Sequence, residues 1–241
     1  MKKQKIGKGN ILLLIIFISI QLCAQEKITV KRVVKRIDNE FTVDKLYNVS
    51  TGTKVTKKEF EALVRNNPNL AIEPFYDNEG HIVKYLYNPD KTNSLVKKRS
   101  GNKEIEIDDY FPELNLKTVD GQSISTKDLK GKMVILRFEL EADSFRFKKD
   151  EIVEIDKSIN LSQRQSEIQA IIIFEASVEE IKKGFDLKNS NFKLIPNGFN
   201  FHQMLNIKSF PSTIILDKEG RLMGKLDWSE SINILNMLNK S

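Results

Sequence analysis

The sequence predicts an α/β protein in which helices cover both faces of a central mixed sheet. Two nearly continuous apolar runs, Lys132–Leu140 and Ile168–Phe174, are typical of strands that are buried on both faces. Helical patterns follow both runs, and a later turn at Asp217–Gly220 separates two further apolar segments. Alternation of strands and helices that ends in a hairpin favours a three-layer arrangement.

The first 24 residues predict an export signal. A basic segment, Met1–Asn10, precedes a short apolar run, Ile11–Leu22, and Ala24 offers a small residue for cleavage. The run is shorter than the ~20 residues that cross a bilayer, so we expect no stable membrane span after cleavage. Lipoprotein anchoring through Cys23 is disfavoured because the preceding residue is the bulky Leu22. We therefore expect an exported protein, with the periplasm as its location.

Removal of this signal changes both the charge and the cysteine content. The full chain has 39 basic and 33 acidic side chains, and four of the lysines lie in the signal. The remaining net charge of +2 gives no electrostatic argument for nucleic-acid binding. Cys23 is the only cysteine, so packing alone must stabilise the exported chain.

Residues 25–89 predict a small α+β subdomain. Apolar residues between Ile28 and Ile37 suggest a strand, and Thr56 and Glu59 form the capping-box pattern of a helix start. The turn residues Asp77–Gly80 separate two apolar segments and predict a hairpin. Residues 90–108 are polar and are predicted to be a linker. A subdomain of this size buries little surface alone, and we expect it to pack on its neighbour.

Residues 109–241 are predicted to be the main domain. Its predicted helices and hairpin strands follow the two buried strands in order: helix Phe145–Asn160, helix Ser177–Leu187, helix Phe199–Asn206, strands Ser212–Leu216 and Arg221–Leu226, and a last helix after Asp227.

Two segments of this domain resemble the redoxins of the TlpA and AhpC/TSA type. Residues 111–136 are similar to their first segment, and Ile207–Gly220 is similar to their proline-containing turn into a hairpin. The resemblance covers roughly residues 110–240 and implies a thioredoxin-like fold. It also implies a cis peptide bond before Pro211, and a groove at Phe210, Pro211 and Ser212 that pairs with an extended substrate.

One departure from these redoxins concerns their chemistry. Their Cys-x-x-Cys pair begins the helix after the first buried strand, where the helix terminus favours the thiolate. The matching positions here are Asp143 and Arg146, with Phe145 between them. We predict no catalytic residues, a capping role for Asp143 at the helix start, and a contribution of Asp143 and Phe145 to the binding surface.

Other chemical patterns are weak. Glu139 and Glu141 alternate at the end of a strand and are interpreted as a solvated strand end. His81 and His202 are the only histidines, and neither has a second histidine or a cysteine at metal-ligand spacing. We therefore predict no metal site and no cofactor.

Three functions remain open. The first is a redox-inactive module that binds a protein or peptide of the cell envelope through the groove beside Pro211. The second is envelope thiol–disulfide exchange, as the resemblance implies. The third is a structural subunit that completes a complex, and a homodimer is compatible with it. The missing nucleophile favours the first reading and argues against enzymatic activity.

Overall fold

A computed structural model describes residues 41–67, 70–92, 105–143 and 147–227, and Asn236. The described residues belong to one structural unit, residues 40–241. The predicted export signal, the strand predicted after Ile28 and most of the predicted linker lie outside the described residues. So does the last predicted helix, apart from Asn236.

The N-terminal part is a three-stranded sheet with one helix, of which the sequence predicts the helix and the two hairpin strands but not the first strand. Its elements are β1 (Leu46–Asn48), α1 (Lys57–Asn66), β2 (Leu70–Tyr76) and β3 (Ile82–Thr92). The sheet order is β1-β3-β2, with β1 parallel to β3 and β2 antiparallel to it. The predicted capping box is present, because Thr56 accepts the Glu59 N–H while Glu59 accepts the Thr56 N–H. β3 continues to Thr92, beyond the predicted start of the linker.

The larger part contains a short hairpin, a five-stranded sheet and three helices. The elements are β4 (Asn115–Lys117), β5 (Ser123–Ser125), β6 (Met133–Glu139), α2 (Lys149–Leu161), β7 (Ile168–Phe174), α3 (Val178–Gly184), β8 (Phe192–Ile195), α4 (Phe199–Met204), β9 (Ser212–Leu216) and β10 (Leu222–Asp227). The sheet order is β10-β9-β6-β7-β8.

The directions of these strands make the sheet mixed. β6, β7 and β8 are parallel, whereas β9 is antiparallel to both β6 and β10. Two buried clusters lie on its two faces: Ile152 and Ile181, from α2 and α3, pack in one, and Phe201 of α4 packs in the other. This order defines the thioredoxin-like fold, and the prediction of helices on both faces is confirmed.

Several helix boundaries differ from the sequence prediction, and the strands β1, β4, β5 and β8 were not predicted. α2 begins at Lys149 instead of Phe145, and α3 ends at Gly184 instead of Leu187. β8 was not predicted, because a four-residue segment with one exposed Lys193 carries too little periodicity. Pairing with β7 makes it a strand.

The N-terminal sheet contacts β4 and α4 of the larger part through its hairpin turn. The Asn115 N–H donates to the Asn78 carbonyl at 2.7 Å. A Cβ atom built on Gly80 would lie 3.3 Å from the Phe201 ring. The predicted packing of the subdomain on its neighbour therefore occurs at this turn.

Candidate functional site

The candidate site lies where the carboxyl ends of β6 and β7 meet the start of β9. Register pairs Phe138 of β6 with Ser212 of β9, and Glu139 with Phe174 of β7. The Phe210–Pro211 peptide bond immediately before β9 is cis, as predicted. The structure therefore brings the predicted residues Phe210, Pro211 and Ser212 to this edge, next to the end of β6.

Aromatic rings pack beneath the Phe210–Pro211 turn. The His202 ring of α4 lies 4.9 Å from the Phe210 ring and 5.5 Å from the Phe138 ring, between centroids. Phe138 and His202 are fully buried, and Phe210 is half-buried. The turn thus presents a partly accessible aromatic side chain on a rigid support.

His202 also makes two polar contacts. Its Nδ1 lies 3.0 Å from Glu175 Oε1, and its Nε2 lies 3.2 Å from the Ile173 carbonyl oxygen. Glu175 follows β7 and keeps 27% of its side chain exposed. The sequence pattern did not indicate this pair, because the two residues are far apart in the chain and meet only through the packing of α4 against β7.

A buried ion-pair network lies on the opposite face of β6. The Arg137 guanidinium donates to Glu139 Oε1 and to Glu151 Oε2 of α2, both at 2.8 Å. Arg137 and Glu139 are 3% and 1% exposed. The interpretation of Glu139 as part of a solvated strand end is therefore wrong, whereas Glu141 is exposed. The sequence did contain a signal for this network, because Arg137 and Glu139 are charged residues within a strand predicted to be buried. Charged residues at buried positions are almost always paired.

Burial is the largest influence on the pKa of the Glu139 carboxyl. Desolvation raises the pKa of this carboxyl to about 7, and the neighbouring Arg137 lowers the pKa by a smaller amount. Glu151 adds a second negative charge and raises the pKa of Glu139 further. The network therefore contains a carboxyl group that titrates in the neutral range.

Asp143 does not cap a helix, so that prediction is wrong. α2 begins at Lys149 with Lys148 in the N-cap position, and Asp143 is exposed in the preceding segment. The segment before α2 instead contacts the residues that flank α3: the Ala176 N–H donates to the Leu140 carbonyl, and a Cβ atom on Gly184 would lie 3.2 Å from the Asp143 nitrogen. Phe145 and Arg146 lie outside the described residues.

The hairpin turn of the N-terminal sheet gathers Asp77, Glu79 and His81. One potential ligand atom from each lies within 4.8 Å of the others, a grouping that the sequence analysis did not expect. Asp77 already accepts the backbone N–H groups of Glu79 and His81, so the grouping has a structural explanation.

None of the helices in the part of the chain that the structure describes is long and apolar enough to cross a membrane.

Comparisons with known proteins concern the fold. The sequence matches no protein-family model and no curated protein. The thioredoxin domain of a thiol-disulfide oxidoreductase from Bacteroides vulgatus is 22% identical, over 56% of this chain and 97% of that one, with a TM-score of 0.46.

Two further solved structures are similar over the same part. A thiol peroxidase from Chromobacterium violaceum is 13% identical, over 58% of this chain and 89% of its own, with a TM-score of 0.47. The pneumococcal exposed lipoprotein thioredoxin from Streptococcus pneumoniae is 17% identical, over 54% and 100%, with a TM-score of 0.41. The thioredoxin-like fold of this chain is defined by its own strand order.

Proposed function

We propose that this protein is an exported thioredoxin-like module that binds an extended protein or peptide segment of the cell envelope without redox chemistry. The observation that carries the proposal is that the hydrogen-bonded ladders of the sheet end at the Phe210–Pro211 turn. Both ladders of β9 begin at Ser212, with partners Phe138 and Asp227. The backbone of Ser209 and Phe210 therefore lies beyond these ladders, where an extended segment can add as a strand.

The side chains around this backbone suit a binding surface. Phe210 is half-buried and is supported from below by His202. Lys208 is exposed, whereas Pro211 and Ser212 are buried and anchor the turn. A partly exposed aromatic ring on a rigid turn offers apolar contact beside the backbone hydrogen bonds.

The absence of redox chemistry follows from the residue at the nucleophile position. Asp143 stands where these redoxins carry their first cysteine, and the only cysteine of the sequence is Cys23, in the proposed signal. The attacking group in disulfide exchange is a thiolate, and a carboxylate does not replace it. The proposed export rests on the basic and apolar N-terminal sequence alone.

Photo-crosslinking tests the groove. With p-benzoylphenylalanine at Phe210, we expect crosslinks to envelope proteins that an excess of unfolded insulin B chain displaces. The matched position is Lys127, which is exposed and precedes the start of β6, whereas Phe210 lies near the end of β6. Equal crosslinking from both positions would refute the groove. Crosslinks from Phe210 that the peptide does not displace would favour the structural-subunit function instead.

An insulin-reduction assay on the cleaved protein tests the redox question. We expect a rate equal to that of buffer with reductant, because the chain after residue 24 contains no thiol. A rate well above buffer would support thiol–disulfide exchange and contradict the proposal.

A further inference from the structure

A second groove lies along α2, between the later turns of this helix and residues 185–191, the loop that follows α3. Its volume is about 530 Å³, within the range of sites that bind ligands. The loop leads into the start of β8, and the end of α2 leads toward the start of β7, so the groove lies at the amino ends of these strands. The Phe210–Pro211 turn lies near the carboxyl end of β6. This α2 groove is therefore separate from the groove beside Pro211.

The helix wall of the α2 groove carries apolar side chains that are open to solvent. Val153, Lys157 and Leu161 follow one another at intervals of one helical turn and share one face of α2. Val153 is 43% exposed, and Leu161 is 68% exposed. Leu187 lines the loop side and is half-buried against the core. A partner that covers these side chains gains free energy from the apolar surface removed from water.

Hydrogen bonds fix the two walls relative to each other. The backbone N–H and the side-chain amide of Asn191 both donate to Asp156 Oδ1 of α2, at 2.8 and 3.0 Å. The same side-chain amide donates to Asn160 Oδ1 at 3.2 Å. Because the loop is already tied to the helix, little conformational entropy is lost when a partner enters the α2 groove.

The accessible charge of the α2 groove is positive. Lys157 and Lys188 line it, both are exposed, and neither forms an ion pair within the part of the chain that the structure describes. The carboxylate in the lining, Asp156, is half-buried and accepts the hydrogen bonds of Asn191. Carboxylates of a partner would meet two unpaired ammonium groups here, whereas basic side chains would meet like charges.

The helix wall also restricts the conformation of the partner. It offers side chains and not a strand edge, because the backbone of α2 is hydrogen-bonded within the helix. A segment that lies against this wall must satisfy its own backbone N–H and C=O groups, as an α-helix does. The wall from Val153 to Leu161 is about 12 Å long, which matches about two turns of a partner helix.

We propose that the α2 groove is a second binding surface, which takes an amphipathic helix with an apolar face and acidic flanks from a protein partner. The apolar face covers the exposed side chains of Val153 and Leu161, and the carboxylates pair with the two lysines of the groove. This surface and the groove beside Pro211 lie at opposite ends of the strands, so either can bind without the other.

Titration with a model helix tests this surface. The probe is a capped peptide of about 14 residues, the length at which an isolated helix begins to form, with leucines on one face and glutamates on its flanks. A matched peptide has lysine at every glutamate position. We expect the acidic peptide to shift the ¹H–¹⁵N signals of Leu161 and Asn189 in the cleaved protein, and the basic peptide to bind at least about tenfold more weakly. Equal binding of the two peptides, or shifts confined to other surfaces, would refute the proposal.

Paired charge reversals locate the contact. Lys157→Glu together with Lys188→Glu is expected to weaken binding of the acidic peptide at least about tenfold, because two attractive contacts become repulsive. Lys57→Glu together with Lys58→Glu, at exposed positions of α1, makes the same change in net charge. This control should leave the affinity within about twofold, since salt screens distant charges. Equal losses in the two double variants would reveal a non-specific charge effect and overturn the site.

Sedimentation velocity distinguishes a foreign helix from a second copy of this chain. We expect the wild type and both double variants to sediment alike, as the proposal of a separate partner requires. A dimer of the wild type that dissociates in Lys157→Glu with Lys188→Glu, but not in the control, would assign the α2 groove to self-association and overturn the proposal.

Discussion

Glu139 makes the stability of the protein depend on pH. Its pKa is raised from 4.5 to about 7 by burial, so the folded state binds this proton more tightly than the unfolded state. The carboxyl therefore lowers the free energy of unfolding as the pH rises from about 4.5 to about 7. This decline amounts to roughly 2–3 kcal/mol between pH 5 and pH 8 in the wild type, and we expect Glu139→Gln to remove it.

Urea unfolding at pH 5 and pH 8 measures the effect. The amide of the substituted side chain still accepts from Arg137, so the network keeps its geometry. Glu154→Gln on the exposed face of α2 is the control, and it should show the same pH dependence as the wild type. Parallel behaviour of Glu139→Gln and the wild type at both pH values would show that burial does not perturb this carboxyl.

At the scale of elements, the connection between β6 and α2 decides the electrostatic setting of Asp143. A thiol gains acidity at a helix N-terminus, but Asp143 lies before the N-cap residue Lys148 and outside the first turn of α2. We expect the thiol in Asp143→Cys to titrate near its ordinary pKa of about 8.5. The rate of alkylation as a function of pH measures this value.

Asp150→Cys provides the comparison. Asp150 is exposed in the first turn of α2, where the helix terminus favours an anion. Its thiol is therefore expected to titrate below that of Asp143→Cys. The opposite order would place Asp143, and not Lys148, at the functional start of the helix.

At the scale of the whole molecule, the turn at Gly80 connects the N-terminal sheet to α4 of the larger part. Gly80 and Gly52 both have positive φ, +79° and +70°, so alanine strains the backbone at each by about 1 kcal/mol. A Cβ atom at Gly80 would also meet the Phe201 ring at 3.3 Å, whereas at Gly52 nothing lies within 4 Å. We expect Gly80→Ala to destabilise the protein by about 1 kcal/mol more than Gly52→Ala does.

Thermal unfolding monitored by circular dichroism compares the two variants. If the contact at Phe201 couples the sheets, Gly80→Ala lowers the midpoint of the main transition. Equal midpoints for the two variants would mean that the N-terminal sheet does not stabilise the larger one through this turn.

The sequence alone determined the elements whose signals are local. The buried strands β6 and β7 follow from continuous apolar runs, and the starts of α1 and α3 follow from the capping boxes at Thr56 and Ser177. Pro211 predicted the turn in the segment before β9. These signals work because backbone hydrogen bonding and side-chain periodicity act over a few residues.

The tertiary structure decided which of these residues meet and in what electrostatic setting. Glu139 was interpreted as solvated, yet it is buried and accepts a hydrogen bond from Arg137, which also binds Glu151 of α2. Asp143 was assigned the cap of the helix after β6, but that helix begins at Lys149, with Lys148 in the N-cap position. His202 and Glu175 form a pair only because α4 packs against the end of β7. Burial and long-range pairing depend on all the elements together, so no local pattern encodes them.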